Sequence, residues 1–179
     1  IHQAGLAQAG RGLSNMSWGI GLASPLPFAD ASFSLVITRY SFHHFQDPAG
    51  VLAEMIRVCG PGGRVLVADV AQPSDKVTPY DEIELLRDPS HVHALARNEF
   101  SGLFEASGLD SIRFGEYKVE MAVEQQLAAS FPVPGGADRI RELLRADVGI
   151  DRIGVSAHWI GSELHYAIPI VVGVGVKQG

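Results

Sequence analysis

Apolar residues fall along this chain in two kinds of run, told apart by spacing. Ser34 to Thr38 and Val65 to Val70 are short continuous apolar stretches, the pattern of strands covered on both faces. Between them, Val51, Leu52, Met55, Ile56 and Cys59 recur at helical spacing and form one stripe. Asp47-Pro48 predicts the start of that helix. The Asp carboxylate accepts from free backbone N–H groups, and Pro suits the first helical position. Gly60 is expected to end it in a left-handed conformation, with Pro61 blocking continuation and Gly62-Gly63 turning the chain. Strand, helix, tight turn and strand make a βαβ unit, whose strands run parallel through a right-handed crossover.

The flanking signals are weaker. His2 to Gly12 reads as the tail of a helix, and Met16 to Gly21 as a short strand before the loop forced by Pro25 and Pro27. Helices are predicted over Tyr80 to Arg87, Asn98 to Ser107, Val123 to Phe131 and Asp138 to Ala146, the last two separated by Pro132, Pro134, Gly135 and Gly136. Ser111 to Met121 and Leu164 to Val176 read as strands. Pro169 cannot donate to a ladder, so it marks an edge, a bulge or the strand's beginning. The class is α/β.

Composition narrows the functional range. A chain of 179 residues, 46% hydrophobic and 19% charged, fits one globular domain with its own core. A net charge of -6 argues against nucleic-acid binding, which needs clustered Lys and Arg. The sequence shows neither an apolar run of membrane-spanning length nor a signal-peptide layout. The lone Cys59 fits a reducing compartment, so a cytoplasmic protein is expected.

Longer motifs carry a resemblance. "LPFADASFSLVITRYSFHHFQDPAGVLAEMIRVCGPGGRVLVADV", Leu26 to Val70, resembles the class I S-adenosylmethionine-dependent methyltransferases, above all the small-molecule enzymes similar to those of ubiquinone and menaquinone biosynthesis. "LPF" precedes that family's fourth strand, "HHFQDP" follows it and "GPGG" precedes the fifth. "ELLRDPSHVHALA", Glu84 to Ala96, continues the likeness, which extends through the final strand. The implied fold is a truncated Rossmann-like one, a single domain over residues 1–179 with a mostly parallel sheet and an antiparallel C-terminal strand. The first βαβ unit of the family, roughly 30 residues or more, has no counterpart. The cofactor of such sheets lies across the carboxyl ends of the strands, which places the loop Arg39 to Phe45 beside donor and substrate.

The resemblance implies a site with parts missing. Neither the glycine-rich first turn nor the acidic residue that takes the ribose hydroxyls is matched. Gly21-Leu22-Ala23 stands where the family commonly has Gly-Asp-Ala, and Leu22 offers no acceptor to the adenine. One such lost hydrogen bond costs about 1–3 kcal/mol, and each ~1.4 kcal/mol is tenfold in affinity. The expectation is a methyltransferase-related protein whose chain alone holds S-adenosylmethionine poorly and is weak or inactive. The alternative is a non-catalytic dimeric binding or regulatory module. Gly21, Leu22, Ala23, Arg39 and Tyr40 are the cofactor-side positions; His43, His44, Asp69 and His91 are the positions facing a small-molecule substrate.

No residue is assigned as catalytic, although His43 or His44 could serve as a general base. Arg39 and Tyr40 could equally pair with a carboxylate and cap the strand. Adjacent histidines cannot both face one ion from a strand or helix, so no metal is expected. His91 and His93, with only Asp88 close by in sequence, suit loop packing or substrate contact. With its first strand missing, the fourth would expose an unpaired edge, and a homodimer through that edge is expected.

Overall fold

In the computed structural model, residue 8 and residues 10–179 are described. The elements are β1 (Phe33–Arg39), a 3₁₀ turn (Phe42–His44), α1 (Pro48–Val58), β2 (Cys59–Gln72), α2 (Val77–Arg87), β3 (Leu95–Ala96), α3 (Arg97–Glu105), β4 (Asp110–Ala122), α4 (Val123–Ala128), α5 (Gly136–Asp147), β5 (His158–Ile160) and β6 (Glu163–Val176). The long strands lie in the order β1-β2-β6-β4, with β3 on β2 and β5 on β6. β1 pairs parallel with β2, whereas β6 pairs antiparallel with both β2 and β4. β1, β2 and β4 therefore share one direction, and only the C-terminal β6 runs against it among these four.

Alternation along β2 divides the core. Val65, Val67 and Ala71 pack with Leu52 and Met55 of α1 and Phe100 and Phe104 of α3 on one face. Ala68 and Val70 pack on the other with Tyr80 and Ile83 of α2, Leu127 of α4 and Ile140 and Leu144 of α5. The α1 start is as predicted: Asp47 accepts from the Gly50 N–H at 2.8 Å, with Pro48 as the first helical residue.

Three expectations are corrected. β1 forms, but it is not covered on both faces: Leu35 is 50% and Ile37 56% exposed. No described element lies beyond β1, and only Val36 and Thr38, one face of the strand, find partial cover. Met16 to Gly21 is irregular rather than a strand, because no neighbouring strand offers it a ladder. Gly60 does not close α1; Cys59 already extends as the first residue of β2, and the left-handed residue is Gly62, with φ 73°. Gly63 is needed for closeness instead, since a Cβ there would stand 2.6 Å from the Cys59 Sγ and 3.0 Å from the Ser34 carbonyl oxygen. Pro169 lies inside β6 opposite Lys118, one residue past the last β2 pairing at Val70–Ile170, where the ladder has already parted. The expected helix tail over His2 to Gly12 falls largely outside the described residues.

Candidate functional site

The loop after β1 is organised by one carboxylate. Arg39 makes the last β1 pairing, with Ala68, so Asp69 projects just beyond the end of β1. Asp69, 1% exposed, gathers four donors on its side chain. Oδ2 accepts from the backbone N–H groups of Ser41 and Phe42, each at 2.7 Å. Oδ1 accepts from the Val70 N–H at 2.8 Å and contacts His43 Nδ1 at 2.6 Å. The Ser41 and Phe42 backbone donors and the His43 ring fold Tyr40 to His44 over the strand end, and Phe42 drops into the α1–α3 core. Tyr40 takes the strained φ of 56° that this reversal demands. The neighbouring loop locks on from above: the Val92 and His93 N–H groups donate to the His43 carbonyl oxygen.

Beside this loop, at the carboxyl ends of the co-directional strands, lies a cavity of about 370 Å³. Tyr40, His43, His44 and Asp69 form its polar end, and Val70, Val119, Met121, Ile168 and Ile170 its apolar wall. Glu84, Arg87, Asp88, Tyr80 and Gln126 complete the lining. Glu84 and Arg87, one helical turn apart on α2, form a buried ion pair in which the guanidinium Nε donates to both carboxylate oxygens, at 3.0 and 3.1 Å. Arg87 also reaches Ser130 Oγ at 3.3 Å. Burial and the nearby Glu84 charge push the Tyr80 phenol well above its ordinary range, so it stays neutral.

The structure brings together Tyr40, His43, His44 and Asp69 from the predicted set and separates the rest. His43 and His44 lie with ring centroids 4.1 Å apart; the Nδ1 of His44 turns to the Ser90 carbonyl oxygen, at 2.9 Å. Arg39 does not line the cavity. Its guanidinium donates to the Tyr40 phenol oxygen at 2.9 Å and sits 4.2 Å from that ring, and Tyr40 meets the Tyr117 hydroxyl at 2.9 Å. The expected alternative partner, a carboxylate, is thus replaced by phenols. Gly21, Leu22 and Ala23 lie in the irregular N-terminal stretch, with Leu22 71% exposed.

His91 is corrected from a cavity residue to a buried one. Its Nε2 contacts Asp81 Oδ1 at 2.6 Å, and its ring backs His43 at 5.5 Å. The carboxylate near His91 and His93 is Asp81 on α2, rather than Asp88, which accepts from Ser90. Burial raises the Asp81 pKa, and the hydrogen bonds from His91, His93 and the Ala94 N–H outweigh it, leaving the pKa below its ordinary value. Sequence reasoning missed Asp81, Glu84 and Arg87. Their signal was present: a Glu-x-x-Arg pair on a helix face otherwise bound for the core.

Among the described residues, no cluster of three or more His, Cys, Asp or Glu is arranged to hold a metal ion, and no helix is long and apolar enough to cross a membrane. Of the positions expected on the cofactor side, only Tyr40 lines the cavity. Leu22, in the stretch Gly21 to Ala23, is exposed and does not line the cavity, and Arg39 is engaged with the Tyr40 phenol.

A family model described as a methyltransferase domain matches residues 1–67. The uncharacterized protein YafE of Escherichia coli K12 is 41% identical over 105 residues, covering 58% of this chain and 51% of that protein. The uncharacterized methyltransferase YcgJ of Bacillus subtilis 168 is 27% identical over 177 residues, covering 94% and 68%. A demethylmenaquinone methyltransferase of Corynebacterium glutamicum is 36% identical over 107 residues, covering 59% and 45%. Against the first and third of these, the matched stretch spans about half the relative's length. The YcgJ crystal structure superimposes with a TM-score of 0.87 at 23% identity, covering 100% of this chain and 78% of that one, which shows the fold.

Proposed function

We propose that this chain is a relative of the class I S-adenosylmethionine-dependent methyltransferases, with menaquinone-type enzymes among its kin, and that it carries the acceptor side of a methyl-transfer site for a small molecule, with the cofactor side incomplete. The observation that carries this reading is the cavity at the carboxyl ends of β1, β2 and β4, whose polar end is built by the loop after β1. Open α/β sheets bind ligands at that end. The cavity's size suits a small molecule. Transfer between bound molecules depends chiefly on alignment and exclusion of water, which a pocket with one apolar wall supplies. A cytoplasmic setting is part of the same proposal.

Isothermal titration of the 179-residue chain with S-adenosylmethionine and its demethylated product tests the incomplete half. Dissociation constants in the millimolar range or weaker are expected; micromolar binding of either ligand would overturn it. A second reading, a non-catalytic dimeric module, is favoured by the unpaired β1 edge with Leu35 and Ile37 exposed.

A further inference from the structure

We propose that His43 is the proton acceptor of this cavity, held by Asp69 as a positioning residue, and that the cavity takes a largely apolar molecule bearing a weakly acidic hydroxyl. This deepens the acceptor-side reading above and rests on it. The argument begins with the tautomer. Asp69 accepts three backbone N–H bonds, which an ionised carboxylate satisfies best. The proton in its 2.6 Å contact with His43 therefore sits on Nδ1 of the imidazole. Nε2 is left with its lone pair and has no hydrogen-bond partner among the described residues.

His44 differs in what stands behind it. Its Nδ1 donates to the neutral carbonyl of Ser90, so a charge formed on that ring has no directly bonded counter-ion. A charge formed on His43 faces Asp69 directly, with the two side chains only 12% and 2% exposed. Such a pair is little screened by solvent.

The lining sets the chemistry of the guest. Val70, Ile168 and Ile170 offer an apolar wall. Among the described residues the only lining guanidinium, Arg87, is paired with Glu84, and Asp88 adds a further carboxylate. An anion is therefore disfavoured on entry, and a neutral acid that ionises after binding is favoured. In the step, the O–H bond breaks, its electron pair stays on the guest oxygen, and the proton bonds to His43 Nε2. The resulting imidazolium is stabilised by Asp69. The oxygen becomes a nucleophile without solvent taking part.

The test uses 4-nitrophenol, which is coloured only when ionised, at a pH where the free probe is mostly neutral. Saturable binding that turns the probe to its ionised form is expected. His43→Gln should retain binding while the ratio of ionised to neutral bound probe falls at least about tenfold, the ratio one pKa unit represents. A bound probe that stays neutral, one equally ionised in His43→Gln, or absence of saturable binding would each overturn the proposal. Should the variant fail to fold, ¹⁵N NMR of the unaltered chain decides: His43 must show the proton on Nδ1, and the opposite tautomer refutes it. None of these readouts uses the methyl donor, so they are distinguishable from failure of the cofactor titration.

Discussion

Replacing Asp69 by Ala removes the acceptor that folds the site loop, and the cost can be worked from its donors. The Phe42 and Val70 N–H groups are buried and bonded at 2.7 and 2.8 Å. Each left without an acceptor costs about 1–3 kcal/mol, so the pair costs about 2–6 kcal/mol. The Ser41 N–H, only partly buried, can turn to water and adds little. His43 loses its anchor but keeps access to solvent. A central figure of about 4 kcal/mol is a large share of the roughly 5–15 kcal/mol that holds a domain together. At about 2–4 °C per kcal/mol for a chain of this size, the melting temperature should fall by about 8–16 °C. Thermal unfolding followed by circular dichroism measures this, with ¹H–¹⁵N spectra reporting the Ser41 and Phe42 amides. Asp69→Asn should not restore stability fully, because its NH₂ group would face N–H donors. A melting temperature for Asp69→Ala within about 2 °C of the parent would mean that water replaces the carboxylate freely, and the account of the loop would be wrong.

Other outcomes follow from different parts of the molecule. Gly63→Ala forces a Cβ to 2.6 Å from the Cys59 Sγ and 2.8 Å from the Gly60 carbonyl oxygen; overpacking of this kind costs about 1–3 kcal/mol, read as a lower urea midpoint with unchanged slope, and an unchanged midpoint contradicts it. Arg57, with help from the Leu26 N–H, lowers the Glu54 carboxyl from 4.5 to about 2. A folded value below the unfolded one means stability that is full above about 4.5 and lost as pH falls through about 2. The Leu26 amide, which donates to Glu54 at 2.7 Å, should shift with a midpoint near 2, and a midpoint near 4.5 would refute the clamp. Ile37→Lys places a charge on the open β1 edge; the parent chain should scatter light as a dimer at micromolar concentration and the variant as a monomer, whereas a monomeric parent removes the second reading.

Much of the fold was legible because its signals are local. Asp47-Pro48, the α1 stripe and the apolar runs of β1 and β2 each state their element within a few residues, since capping and periodicity are short-range physics. Helix closure was misplaced by two residues at Gly60, where the chain enters β2 early and Gly62 takes the turn. The strand expected over Met16 to Gly21, and not formed, shows the limit of such signals, because a strand exists only if a neighbour completes its ladder.

The site divides along the same line. That Tyr40, His43, His44 and Asp69 face the carboxyl ends of the strands could be read from their order in the chain, because each follows or ends a parallel strand. Only the tertiary structure decided what each does there. It spends Asp69 on three backbone amides and one imidazole, withdraws His91 to Asp81, ties Arg39 to the Tyr40 phenol and sets the Glu84–Arg87 pair in the lining. The Asp69–His43 contact spans 26 residues and the Tyr40–Tyr117 contact 77. Distances of a few ångströms across such separations depend on the packing of whole elements, which no local stretch of sequence encodes.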